Sequence, residues 1–191
     1  MSTASLESVI GKAAPDLILP DQNGKSIRLS DLWKQCPLTL IFARHLGCPF
    51  CREHLMEVQR DIDHYRAAGM AVAAVTMSPP SDTLEFRNHF QLAFTMLSDI
   101  DQEAYRAYGV RRGSLNTVAG PALWWKGLKS FVSFGGGKPA GDPYQLPGSF
   151  VIDVDGVFRF AHYAVDSADW AKTVDHLSVV SSGAAVQRGT N

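Results

Sequence analysis

The sequence predicts an α/β fold in which helices flank a mixed central β-sheet. Three observations carry that expectation. Apolar runs of strand length, 38–43 and 70–77, each interrupted by a single threonine, alternate with helix-length amphipathic stretches, the pattern of parallel strands joined by crossover helices. Near the C-terminal end, Ser149-Phe150-Val151-Ile152-Asp153-Val154, an Asp155-Gly156 turn and Val157-Phe158-Arg159-Phe160 form a strong hairpin signal, which adds antiparallel strands to the same sheet. Asn23-Gly24 between two short strand-like segments predicts an N-terminal hairpin extension.

In chain order, residues 1–8 read as a flexible lead-in. Residues 14–20 read as a strand closed by prolines, and 26–29 as its hairpin partner. Ser30 is the expected cap of a short helical turn ending at Trp33. The buried strand 38–43 leads into a helix over 51–66, whose apolar stripe is Cys51, Leu55, Val58, Ile62 and Tyr65. After Gly69, residues 70–77 are the second buried strand, 84–90 a helix, 94–97 a third strand and 102–108 a short helix. Residues 111–146 form a long irregular insertion with Trp124, Trp125 and three consecutive glycines. The terminal hairpin follows, then a helix over 167–177 and a flexible tail over 179–191. One domain over 9–178 is the expected organisation of this 191-residue chain.

Composition narrows the function. Apolar residues make up 46% and charged residues 19%, the balance of an ordinary globular protein. A net charge of −1 gives no reason to expect a nucleic-acid partner or an anionic membrane surface. No run approaches the ~18 apolar residues of a membrane span. The first residues lack the basic and apolar regions of a secretion signal, so a cytoplasmic location is expected. Three cysteines, two of them in a C-x-x-C, do not form a secreted disulfide framework.

Cys48-Pro49-Phe50-Cys51 is the motif that carries chemistry. Two thiols three apart at a strand-to-helix turn can close a small disulfide and reopen it. Pro49 suits the first helical position, which puts Cys48 near the N-cap, open to solvent and facing free N–H groups. That terminus, with positive charge from Arg44, His45 and Arg52, lowers a thiol pKa. Cys51, one turn in on the apolar stripe, is the more buried thiol. Cys48 is thus the expected attacking sulfur and Cys51 the resolving one. His45, Cys48, Cys51 and His54 are also suitable zinc ligands, but their three-residue steps do not converge, so no metal or cofactor is expected. Cys36, before Pro37, reads as an inert small residue.

Several segments together resemble the peroxiredoxin-like (alkyl hydroperoxide reductase/thiol-specific antioxidant) branch of the thioredoxin superfamily. They are Gly11-Lys12-Ala13-Ala14-Pro15-Asp16-Leu17, Leu29-Ser30-Asp31-Leu32, Gly47 to His54, Leu97-Ser98-Asp99, Tyr105 to Val110 and Pro147 to Asp153. The resemblance spans roughly 9–177 and implies a thioredoxin-like fold. Two positions depart from the branch's pattern. Peroxiredoxins carry Thr or Ser three residues before the peroxide-attacking Cys and Pro four residues earlier still. Taking Cys48 as that Cys puts His45 and Ile41 there; taking Cys51 puts Cys48 and Arg44 there. Where peroxiredoxins have a peroxide-orienting Arg, this chain has Pro147, which resembles the cis-proline of thioredoxin-type reductases. The chain is therefore similar to the C-x-x-C subgroup, which includes prostaglandin F synthase-like proteins.

The resemblance implies an oxidoreductase cycling Cys48–Cys51, with Arg44, His45, Arg52 and Pro147 serving substrate binding and activation. The implied substrate is a hydroperoxide, and the implied donor a thioredoxin-like or glutathione-type thiol. The alternatives are a reductase of protein disulfides, or a non-catalytic redox- or zinc-sensing module. Residues 121–132 space apolar residues helically with lysines between them, which suits a lid, a homodimer surface, a membrane-surface helix or plain core packing. We expect 123–134 to form an apolar wall of the substrate site, hinged at 135–137, favouring bulky organic peroxides.

Overall fold

The computed structural model describes residues 8–119, 129, 131–133, 135–137, 141–182 and 186–188. Residues 1–7 of the expected lead-in and most of the expected apolar wall, Trp124 and Trp125 included, lie outside them.

The hairpin forms as the Asn-Gly turn requires. β1 (Ile18–Pro20) pairs antiparallel with β2 (Ser26–Arg28), and Gly24 takes a φ of +77° that a Cβ would oppose. The Asp21 carboxylate accepts the N–H groups of Asn23 and Lys25 and closes the turn. α1 (Leu29–Trp33) begins one residue before the expected cap. Its cap comes from outside the helix, because the Asp16 carboxylate accepts the Ser30 N–H at 2.9 Å.

The main sheet has six strands in the order β5-β4-β3-β6-β7-β8. β3 (Leu38–Phe42) is parallel to β4 (Ala71–Thr76), which is parallel to β5 (Thr95–Ser98). On its other side β3 is antiparallel to β6 (Gly148–Ile152), which pairs with β7 (Phe158–Tyr163). β8 (Val186–Arg188) runs parallel to β7. Residues 186–188 of the expected tail thus pair with the outer edge of β7, whose unpaired backbone groups a short strand can satisfy.

Alternation along the strands builds two cores. Leu38, Leu40 and Phe42 point to one face, with Ala73, Val75, Phe150, Ile152, Phe158 and Tyr163, under α1 and α5 (Glu103–Ala107). Ile41 and Ala43 point to the other, with Ala74, Val151 and Phe160. That second face receives the predicted stripe of Cys51, Leu55, Val58, Ile62 and Tyr65. The stripe is carried by two helices rather than one. α2 (Pro49–Arg60) and α3 (Ile62–Ala67) break at Asp61, whose φ and ψ of −92° and 5° leave the helical region. α4 (Pro80–His89) packs beside them, starting on Pro80, which suits the first helical position.

α6 (Leu115–Ala119) lies in the inserted segment, and α7 (Thr173–Ser182) closes the second face. α7 starts at Thr173, not at Ser167. The Ser167 N–H and hydroxyl donate to the Thr117 and Val118 carbonyls, so the chain is tied to α6 there instead of coiling. Among the described residues no helix is long and apolar enough to cross a membrane.

Candidate active site

β3 ends against the turn that holds the thiols. Cys48 is the N-cap of α2 with extended backbone (φ −78°, ψ 122°), and Pro49 fills the first helical position. The Cys48 N–H donates to the His45 carbonyl at 3.0 Å, closing the turn, and the Arg52 N–H donates to the Cys48 carbonyl at 3.1 Å, opening the helix. The N–H groups of Phe50 and Cys51, free of helical partners, turn toward the Cys48 sulfur. Cys48 and Cys51 are free thiols.

Four influences converge on Cys48. The Cys51 thiol donates a hydrogen bond to its sulfur, burial opposes ionisation, the Arg44 charge favours it, and the two backbone N–H groups add to it. The net result is a Cys48 pKa lowered to about 6. Cys51 moves the opposite way, because it is fully buried and its proton is engaged with Cys48. One turn of helix thus separates a thiolate from a thiol that stays protonated at neutral pH. The expected openness of Cys48 is corrected, as the residue is only 3% exposed. Arg44 occupies the space solvent would take: Nη1 donates to the Cys48 sulfur at 3.5 Å, Nε to the Gln145 carbonyl at 2.7 Å, and Nη2 to the Pro143 carbonyl at 2.6 Å.

The other predicted residues divide. Arg52 lies beside the turn: its Nε donates to the Leu46 carbonyl at 2.7 Å, and its guanidinium sits 5.8 Å from the centres of the Phe86 and Phe90 rings. His45 does not supply the expected positive charge. Burial, then the charges of Arg44 and Arg52, push its pKa down to about 4, so it is neutral at physiological pH. Pro147 is buried just before β6 at the same end of the sheet, where Gly148 pairs with Phe42. Its peptide bond is trans, which corrects the expected cis form. Lacking an N–H, it opens the strand without leaving a donor unpaired, while its carbonyl accepts the Ala164 N–H at 3.3 Å.

His54 does not join the cysteines; its ring stacks on Trp170 at 4.1 Å between centroids. Cys36 precedes β3, at the opposite end of that strand from the thiol turn. The Gly137 N–H donates to the Gly47 carbonyl at 3.1 Å, which brings the end of the expected hinge against the turn. A cavity of about 450 Å³ opens there, lined by Leu46, Gly47, Arg52, Phe86, Phe90 and Gly137 among others.

Sequence reasoning passed over three contributors. Gln145 and Pro143 present backbone carbonyls, which no side-chain pattern signals. Tyr105 was visible only as part of a family-like segment. Its hydroxyl contacts the Ala43 and Val75 carbonyls, pinning β3 to β4 next to Arg44.

A mixed sheet with a helix-capping C-x-x-C at the end of its central strand defines a thiol-redox protein of the thioredoxin superfamily. The AhpC/TSA family model matches residues 10–161, and the chain belongs to that family. Peroxiredoxin Bcp of Escherichia coli is 29% identical over 170 residues, covering 89% of this chain and 91% of the relative. Prostamide/prostaglandin F synthase of Salmo salar is 26% identical over 180 residues, covering 90% and 88%. Among solved structures, peroxidoxin BcpB from Mycobacterium tuberculosis superposes with a TM-score of 0.67 at 20% identity, covering 92% of this chain and 97% of that one, and so shares the fold. The chain is a peroxiredoxin-like oxidoreductase, and its activity is thiol-dependent peroxide reduction.

Proposed function

We propose that Cys48 is the peroxide-attacking sulfur and Cys51 the resolving one, with Arg44 as the group that stabilises charge at the reacting atoms. The observation that carries this reading is the contact of the Arg44 guanidinium with a thiol lowered to about 6, which is ionised at neutral pH. In the first step the Cys48 thiolate attacks the terminal oxygen of a hydroperoxide. The O–O bond breaks, the hydroxyl ends on sulfur as a sulfenic acid, and the alkoxide leaves and takes a proton from water. Arg44 Nη1 faces the sulfur and can hold the negative charge as it shifts from sulfur to oxygen. In the second step the Cys51 sulfur attacks the sulfenic sulfur. Water leaves with the Cys51 proton and the sulfenic hydroxyl, and the Cys48–Cys51 disulfide closes. Two electrons and two protons from a thioredoxin-like or glutathione-type donor reopen it, in a cytoplasm that keeps such donors reduced.

The burial of Cys48, a residue 3% exposed in the reduced protein, favours a small hydroperoxide over a protein disulfide as the group its thiolate attacks. The test is peroxide consumption coupled to a dithiol donor, with mass spectrometry of the oxidised protein. Cys48→Ser should lose turnover altogether. Cys51→Ser should consume one equivalent of peroxide and stop at a sulfenic acid on Cys48. Full turnover by Cys48→Ser overturns the assignment.

A further inference from the structure

The inserted segment begins and ends in a closed neck beside the thiols. Arg112 and Gln145 face each other across an antiparallel bridge. The Leu146 N–H donates to the Arg111 carbonyl at 3.0 Å, and the Gly113 N–H to the Tyr144 carbonyl at 2.7 Å. At the outer end Arg112 forms a bidentate ion pair with Asp142. At the inner end Gln145 is 2% exposed. Its side-chain NH₂ is directed at three carbonyls, those of Arg111 at 2.9 Å, Leu146 at 3.1 Å and Val110 at 3.3 Å. One amide therefore ties the strand entering the insertion to the strand leaving it.

The same residue's backbone carbonyl holds Arg44 Nε, and the Pro143 carbonyl two residues earlier holds Nη2. A guanidinium is planar and rotates as one body. Two of its nitrogens fixed on one short loop leave Nη1 with a single direction, toward the Cys48 sulfur. Without the loop, Arg44 has a flexible side chain, and among the described residues it is these two carbonyls that select that direction. We propose that Gln145 is a positioning residue: by closing the neck of the insertion it sets the two carbonyls that aim Arg44 at Cys48. The insertion is then coupled to reactivity through its base, whatever its distal part does. This rests on the reading of Arg44 as the charge-stabilising group.

Three variants separate the two ideas, each read by the pH midpoint of Cys48 alkylation in the reduced protein and by kcat/KM for hydrogen peroxide. Arg44→Met tests the underlying reading and should raise the midpoint by about one pH unit or more and slow peroxide attack at least tenfold. Gln145→Leu, close in size but without donors, should move both readouts the same way. Arg112→Met loosens the neck at an exposed position and should move them less, by about two- to fivefold in kcat/KM, with Arg112→Lys restoring the ion pair and the rate. If Arg44→Met shifts the midpoint while Gln145→Leu and Arg112→Met keep the parent's midpoint and rate, the neck does not position Arg44 and the proposal fails alone. If Arg44→Met itself shifts nothing, the charge-stabilising reading has failed. Should Gln145→Leu not fold, Arg112→Met against Arg112→Lys decides the matter.

Discussion

The two faces of the sheet are built from the same strands and do opposite things. On the face under α1 and α5, aromatic rings meet edge to face: Phe42 with Phe150 at 5.6 Å and 89°, Tyr108 with Phe158 at 5.6 Å and 88°, Phe150 with Tyr163 at 5.3 Å and 77°. Each phenol there reaches a backbone carbonyl. Tyr108 donates to Pro15, Tyr163 to Tyr108, and Tyr105 to Ala43 and Val75. The face under α2 and α7 is as well buried but carries a thiol and buried imidazoles. Cys51 sits in it, as do the hydrogen-bonded chain Tyr65–His176–Ser149 and the stacked His54–Trp170 pair. The difference separates duties: one face is an inert floor that holds β3 straight, and the other can tolerate polar groups because β3 is held. The two free thiols sit where the floor ends, beyond the turn after Phe42.

Deleting part of the floor should have the largest effect on stability. Phe150 is fully buried and contacts four other rings. Phe150→Ala should cost about 3–5 kcal/mol in urea unfolding, while the alkylation midpoint of Cys48 in the folded protein stays near its parent value. A midpoint that moves with the stability would erase the separation between the faces.

A smaller effect comes from pH. Cys48 is lowered to about 6 when folded, against about 8.5 for a free thiol. A depressed acid contributes stability that is fully present above its unfolded value and is lost as pH falls through its folded one. The unfolding free energy should therefore rise between pH 6 and 8 by roughly 2–3 kcal/mol, and Cys48→Ser should flatten that rise. His45, lowered to about 4 from an ordinary 6.5, acts with the same sign at lower pH. Loss of stability between pH 6.5 and 4 should persist in Cys48→Ser. A profile that falls from pH 6 to 8 contradicts the thiolate assignment.

The smallest change probes the polar chain on the reactive face. The Tyr65 hydroxyl is bonded to His176 Nδ1 at 2.7 Å, and His176 Nε2 to the Ser149 hydroxyl at 3.0 Å. Tyr65→Phe leaves a buried ring nitrogen without that partner and should cost about 1–3 kcal/mol, measured by thermal unfolding. The comparison sharpens if Tyr108→Phe on the floor, which frees only the outlying Pro15 carbonyl, costs less. Equal losses would mean that the two faces use their hydroxyls alike.

The alternation of elements, the hairpin at Asn23-Gly24, the apolar stripe from Cys51 to Tyr65 and the place of Cys48 at a helix cap were all legible in the sequence. Each is a local pattern: period two, period three to four, a turn dipeptide, a proline at the first helical position. Where local patterns misled, the missing information was a distant partner. Asp16 caps α1 from the preceding segment, α6 holds Ser167 out of a helix, and β7 offers an edge to residues beyond Ser182. The same holds at the site. Two arginines and a histidine near the thiols were legible as residues, but which of them carries charge to the sulfur was not. Burial between two guanidiniums makes His45 neutral. Carbonyls from residues about a hundred positions away turn Arg44 inward and close Cys48 off from solvent. Backbone carbonyls are present at every residue and leave no trace in a sequence pattern, so only the tertiary structure could decide where these two would stand.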